Sequence, residues 1–327
     1  MRVLVTGGTG FIGSHLVEAL LKENYLVRCL VRSKQKLRWL RNLPVELCEG
    51  DCTRPASLRS AVEGMNWVVH TAGLTNANTH QAFMQQNCQG TENLIDACIR
   101  YNPDISRFIF LSSQAAAGPS NGKVPRRDED LPAPITAYGQ SKLNAETLLG
   151  NVKDQIPSTI LRPSTVYGPR DLNFLPYLKL ADKGVLLDFG SGERTISLCY
   201  VDDLVRGILQ SMQQELPSGS VYFFADKHPY QWTEFEESLK KAMSLGRTRK
   251  LTIPIPMVII FAWLGQIYGK LTGKPVMINR LRLAEFLHRH WACDSTRLRR
   301  DLDFKSKWNL LDGLKTTVTW YGREGWL

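Results

Sequence analysis

Apolar runs of strand length and stretches of helical periodicity alternate along the first half of the chain. Residues 3–5 are an unbroken apolar run, and residues 14–21 carry apolar side chains at the spacing of a helix buried on one face. The runs at 26–31, 45–49, 67–71, 108–112 and 158–161 predict further strands. Helical patterns at 34–42, 55–63 and 79–101 fall between the earlier strands, and a longer one at 138–152 precedes the last. Strands alternating with helices imply a parallel sheet covered on both faces. The expected class is α/β, with a doubly wound parallel sheet.

From about residue 170 the rhythm breaks. Pro169, Pro176, the Gly190-Ser191-Gly192 turn and Pro217 divide shorter, mixed elements. The expected organisation is residues 1–168 as the sheet domain, with some later segments returning to it. Residues 169–327 then form a smaller mixed α/β domain over its ligand end. Pro and Gly between 118 and 134 mark a loop that either covers that end or is a plain surface loop. The apolar run at 253–264 contains Pro254 and Pro256 and falls short of a bilayer span. It predicts a buried or interfacial helix, so no integral membrane segment is expected, while peripheral membrane contact stays open.

Between the first strand and the first helix lies Thr6-Gly7-Gly8-Thr9-Gly10-Phe11-Ile12-Gly13. Glycines there let the backbone turn tightly and approach a phosphate, and the helix start offers unpaired N–H groups and a positive dipole end. Strand, glycine turn and helix in that order predict a Rossmann-type dinucleotide site. An NAD site usually ends its second strand on an acid that holds the ribose diol. Here that region reads Cys29-Leu30-Val31-Arg32-Ser33-Lys34. A missing acid and a present arginine, placed to face a 2′-phosphate, favour NADP over NAD. Asp51 ends the third strand, where its carboxylate either accepts from an adenine amino group or caps a helix.

Composition narrows the class further. The chain has 327 residues, enough for one large domain and a smaller one, and at 43% hydrophobic it is an ordinary globular sequence. It begins directly on a strand, so no signal peptide is expected. Seven scattered cysteines without a C-x-x-C pair suggest reduced thiols, no metal site and a cytoplasmic location. The net charge of +10 favours anionic ligands or surfaces. Much of it lies late, in Arg280, Arg282, Arg289, Arg297, Arg299 and Arg300, with a solvated basic face as the plainest reading. No nucleic-acid recognition motif accompanies it.

Tyr138-Gly139-Gln140-Ser141-Lys142 sets a phenol and an ammonium four residues apart on one helix face. A neighbouring Lys⁺ stabilises phenolate, so Tyr138 becomes a candidate acid/base for C–OH/C=O interconversion. A hydroxyl at the ligand end of the fifth strand, Ser112 or Ser113, would bond the reacting oxygen. Glycine turn, Ser, Tyr and Lys in this order resemble the extended short-chain dehydrogenase/reductase family, of the NAD-dependent epimerase/dehydratase type. The resemblance covers essentially the whole chain. It includes His70-Thr71-Ala72-Gly73, Asn87-Cys88-Gln89-Gly90-Thr91, Leu161-Arg162-Pro163, Val166-Tyr167-Gly168-Pro169 and Tyr200-Val201-Asp202-Asp203. It implies cofactor contacts from Gly7, Gly10, Phe11, Ile12, Gly13, Arg32, Asp51, Cys52, Ala72, Asn87 and Pro163, with Tyr138 and Lys142. It also implies Ser113 as the catalytic hydroxyl with Ser112 its neighbour, and a homodimer through paired helices.

Departures from the family pattern bear on the substrate. Nucleotide-sugar members typically carry Asn before V-Y-G-P, where this chain has Thr165, and an Arg where it has Ile196, with Arg194 two residues early. Gln114 and Ala115 stand where dehydratases carry an acid pair. The R-P-x-x-V-Y-G-P form looks like the 3β-hydroxysteroid dehydrogenase branch. The apolar 254–264 stretch with Trp263 suits either a hydrophobic substrate wall or core packing. The expectation is an oxidoreductase acting on a small, hydrophobic secondary alcohol or ketone. A nucleotide-sugar epimerase is the alternative, and a non-enzymatic dinucleotide sensor the third class.

Overall fold

The computed structural model describes residues 1–190, 192–273, 276 and 279–327. Its first part runs β1 (Arg2–Thr6), α1 (Phe11–Lys22), β2 (Leu26–Val31), β3 (Glu46–Glu49), α2 (Arg59–Val62), β4 (Trp67–His70), α3 (His80–Phe83), α4 (Gly90–Tyr101), β5 (Arg107–Leu111), α5 (Gln114–Ala117), α6 (Ala137–Asn151) and β6 (Ser158–Pro163). The second part runs β7 (Thr165–Tyr167), α7 (Leu175–Asp182), β8 (Val185–Phe189), β9 (Thr195–Ile196), β10 (Leu198–Tyr200), α8 (Val201–Gln213) and β11 (Ser220–Phe224). There follow β12 (Tyr230–Gln231), α9 (Trp232–Ala242), β13 (Arg249–Ile253), α10 (Ile255–Thr272), α11 (Leu283–Leu287), β14 (His290–Trp291), α12 (Thr296–Asp301) and α13 (Leu310–Arg323).

Seven strands form one parallel sheet in the order β11-β6-β5-β4-β1-β2-β3. Strand alternation explains why both faces are covered. Val3 and Val5 point to one face, with Leu16, Val17 and Leu20 of α1. Leu4 points to the other, among Leu94, Ile95 and Cys98 of α4 and Ala145 and Leu149 of α6. The chain winds outward from β1 to β3, then crosses back to β4 beside β1. Such a reversal opens a crevice at the carboxyl ends of the strands, where ligands bind in open α/β sheets. The later chain contributes β11 to this sheet, while β7/β10, β8/β13 and β12/β9/β14 make three small sheets of their own.

Three predicted helices take other forms. The 34–42 segment holds only a 3₁₀ turn at Arg38–Leu40, because Leu40 is its one deeply buried anchor. The 55–63 pattern divides into a 3₁₀ turn at Pro55–Ser57 and the single turn of α2. The 79–101 pattern is α3, a π turn at Met84–Gln89 and α4 in succession. π turns often mark functional sites, and this one carries Asn87, whose side chain bonds outward to Leu74 and Ser141.

The largest departure concerns the 253–264 run. Its helix, α10, continues to Thr272, and only Val258, Ala262 and Gly269 of it are buried. Core packing does not describe it. At 18 residues it is long and apolar enough to cross a membrane by length and composition.

Candidate active site

The glycine turn closes with a Gly10 N–H bond to the Gly7 carbonyl at 2.9 Å. Gly7 has φ +75°, and a Cβ on Gly13 would sit 2.2 Å from the Gly7 oxygen, so the helix can approach the turn only without a side chain there. Around Gly10 a Cβ would meet nothing but that same carbonyl, at 3.2 Å, leaving the turn open on the side away from the protein. α1 starts with no side-chain cap and no acid in its first turn. Its leading N–H groups and positive dipole end are thus available to an anion. This cradle fits a pyrophosphate.

Across the crevice, β5 runs into Ser112-Ser113, and the structure separates the two. Ser112 is buried and donates to Glu146, which also holds Arg162 in a buried pair at 2.6 Å. Ser113 accepts from Ala115 N–H at 3.1 Å, capping α5, and its hydroxyl stands close enough to the Tyr138 phenol to favour its ionised form. Gly139 makes that meeting possible. A Cβ there would lie 2.2 Å from the Ala115 carbonyl, so its absence lets α6 press against α5. The signal was legible as a glycine inside a helical pattern, which usually has a packing reason.

Lys142 sits behind the tyrosine, buried, donating Nζ–H to the Leu111 carbonyl at 2.8 Å and lying 4.7 Å above the Phe110 ring. Burial lowers its pKa to about 8, against the opposing pull of Glu146. Burial likewise pushes Tyr138 up to about 12, while Ser113 and Arg282 draw it down and Glu285 raises it. The expected lowering of the phenol by Lys142 is therefore not what governs it. The ammonium is turned to the Leu111 carbonyl, and desolvation dominates.

A buried polar chain ties the two sides together. Thr6 and Thr91 hydroxyls flank His70 at 2.6 and 3.0 Å. Thr91 donates to the Asn87 carbonyl at 2.6 Å, Asn87 donates to Ser141 at 2.9 Å, and Ser141 donates to the Tyr138 carbonyl at 2.7 Å. His70, between two hydroxyls and stacked on Phe110, is pushed by burial down to about 3 and stays neutral. The network fixes α6, and with it Tyr138, relative to the strand that carries the glycine turn.

The model of the NAD dependent epimerase/dehydratase family matches residues 3–223. The chain belongs to this family. It is 29% identical over 326 residues to the ceramide reductase of Caulobacter vibrioides, covering 99% of this chain and 96% of that protein. It is 30% identical over 328 residues to a UDP-glucose 4-epimerase of Vibrio cholerae, covering 97% and 94%. Among solved structures, UDP-glucuronic acid 4-epimerase from Bacillus cereus, in complex with UDP-glucuronic acid and NAD, superposes with a TM-score of 0.79. That structure is 25% identical and the match covers 99% of this chain and 100% of the other.

The remaining residues implied by the family resemblance divide by position. Phe11, Ile12 and Ala72 edge the turn and are partly open, and Arg32 is exposed just past β2. Asp51 accepts from the Thr53 N–H and hydroxyl at 2.9 and 2.8 Å, closing a local turn. Cys52 packs its side chain into the core. Pro163 is buried as the last residue of β6, paired with Phe224. Asn87 spends its amide on Leu74 and Ser141, so it shapes the crevice wall. The 118–134 loop is strapped down, through Arg126 N–H to Ala292 and Asp128 to Phe223 N–H.

Sequence reasoning missed Glu285 and took Arg282 for part of a solvated basic face, whereas it is largely buried. Arg282 and Glu285, paired at 2.9 Å, come from the start of α11 and both act on the phenol. No local motif announces them. Arg194 is also informative. It is 3.6 Å from Asp188 and donates to the carbonyls of Phe189 and Phe286.

Proposed function

We propose that this family member is an NAD(P)-dependent oxidoreductase interconverting a secondary alcohol and a ketone on a hydrophobic, steroid-like substrate. The observation that carries the chemistry is the meeting of Ser113 and Tyr138 hydroxyls in front of a buried Lys142. Gly7, Gly10 and Gly13 with the start of α1 would hold the pyrophosphate, and exposed Arg32 would take a 2′-phosphate, which favours NADP. When bound, the nicotinamide supplies the hydride that reduces a carbonyl carbon, or accepts it in the reverse direction. Ser113 bonds the substrate oxygen and Tyr138 delivers its proton there. Lys142 contributes a positive charge that makes the departing proton easier to lose once a ligand displaces it from Leu111. Residues 169–327 supply most of the substrate end, including α11.

The hydrophobic substrate class rests on what that end lacks. Thr165 and Ile196 stand where sugar-diphosphate anchors are expected, and Arg194 is committed to Asp188 and the carbonyls of Phe189, Phe286 and His288. The ceramide reductase relative agrees with this reading. The UDP-glucose 4-epimerase relative favours the second reading, a nucleotide-sugar epimerase using the same three residues.

One preparation distinguishes them. Purified protein is denatured and any released nucleotide identified, and folded protein is then assayed with NADPH and hydrophobic ketones, and separately with UDP-glucose. An exchangeable site, with NADPH consumed in step with alcohol formed, is the expected result. Stoichiometric retained NAD together with C4 epimerisation would overturn it.

A further inference from the structure

We infer that α10 is a docking helix that seats this protein on the surface of an anionic lipid bilayer. One stripe of the helix faces the protein: Val258 and Ala262 are buried, Gln266 donates to the Asn78 carbonyl at 2.9 Å, and Asn78 donates to the Gly269 carbonyl at 2.9 Å. These contacts recur along its length, so the helix lies against the body instead of leaving it to cross a membrane. The opposite side presents Ile260, Phe261, Leu264, Ile267, Tyr268 and Leu271, between 43% and 82% exposed. Soluble surfaces rarely carry so continuous an apolar patch without a partner.

Charge identifies that partner. Between residues 238 and 284 there are nine lysines and arginines and no aspartate or glutamate. Lys250 and Arg282 are ion-paired, but Arg247 and Arg249, shortly before the helix in the chain, and Lys270, on it, are exposed, and Arg280 rests 4.3 Å above the Trp263 ring. An apolar face with an aromatic at its edge, fringed by cations of one sign, fits acyl chains below and anionic headgroups beside them. A second copy of this chain would bring the same cations against one another.

The docked pose matters for the site. α10 bonds to the 76–79 loop that follows β4, and α11, close after it in the chain, carries the Arg282–Glu285 pair above Tyr138. Seated this way, the protein would open its substrate end toward the bilayer and draw a long-chain, membrane-resident alcohol or ketone from it. That last consequence rests on the oxidoreductase reading; the docking itself does not.

The test is flotation of the full chain with vesicles of phosphatidylcholine alone or with added phosphatidylglycerol, at low and high salt. Binding only to the anionic vesicles, weakened by salt, is expected. The double variant Ile260→Glu/Leu264→Glu should lower vesicle partitioning by at least about tenfold, since each apolar side chain of this size is worth that much when buried. NADPH binding in the variant should match wild type, which shows it folded. Failure of wild type to float on anionic vesicles would overturn the proposal. So would a dimer in sedimentation velocity that the same variant dissociates, since it would assign the face to a second copy. Because no turnover is read, neither outcome bears on the oxidoreductase assignment.

Discussion

Lys142 is a charge that the fold holds at its own expense, and replacing it with methionine measures that expense. The ammonium is 4% exposed, and burial takes its pKa from 10.5 to about 8. Each tenfold in proton affinity is about 1.4 kcal/mol, so keeping it charged at neutral pH costs the folded state about 3 kcal/mol relative to the unfolded chain. Lys142→Met keeps most of the volume and removes that cost. It also takes the Nζ donor from the Leu111 carbonyl, a loss of about 1–2 kcal/mol. The variant should therefore be more stable at pH 7 by about 1 kcal/mol, a rise of roughly 1–2 °C in Tm, while turnover falls at least about a hundredfold. The sign with pH follows from the two pKa values. Between pH 8 and 10.5 the unfolded wild type holds more protons than the folded, so wild-type stability climbs with pH and the methionine variant lacks that slope. Thermal scans of both proteins across this range should cross, the variant ahead at pH 7 and behind at pH 10.5. A variant already less stable at pH 7, with a pH dependence parallel to wild type, would refute the reasoning and make Lys142 a plain structural strut.

Two further perturbations probe the frame around that lysine. Gly13→Ala sets a methyl 2.2 Å from the Gly7 carbonyl, and the turn must open to admit it. Calorimetry should show dinucleotide binding weakened by about tenfold or more with about 1–3 kcal/mol of stability lost, and unchanged binding would mean the turn is not the pyrophosphate cradle. His70, held near pKa 3, refuses a proton that the unfolded chain accepts below 6.5. Its neutral burial stabilises fully above pH 6.5 and is lost as the pH falls toward 3, by up to about 5 kcal/mol. His70→Gln should flatten this acid limb in denaturant melts, whereas equal slopes in both proteins would reject the assignment.

The cofactor half was legible because its determinants are local. The β1 run, the turn from Gly7 to Gly13 and the face of α1 occupy one continuous stretch, and Gly10 and Gly13 both answer to the Gly7 carbonyl within it. Tyr138 and Lys142 were visible for the same reason, as neighbours on one helix face. Between Ser112 and Ser113 the residues alone left the choice open and only the family resemblance pointed to Ser113, because two adjacent residues differ only in which way the strand end turns. That direction is set by Glu146 and Arg162, a buried pair brought in from α6 and β6. The helices at 34–42 and 79–101 were misread because periodicity reports an apolar face and not its continuity. A lone anchor at Leu40 leaves a 3₁₀ turn, and Asn87, drawn outward by Leu74 and Ser141, accompanies a π turn.

The substrate end was hidden for a different reason. Arg282 and Glu285 bring their charges to bear on Tyr138 from far along the chain, and α10 reads the same by composition whether it lies in a core or on a surface. What separates those cases is the charge around the run. A core helix has no need of one sign of charge beside it, because its neighbours are other apolar side chains. A helix that meets an anionic surface gains from every cation at its rim and loses from every carboxylate. The acid-free span from 238 to 284 follows the second rule, and it was present in the sequence before any coordinate. Apolarity therefore located the helix, and charge asymmetry identifies what it faces.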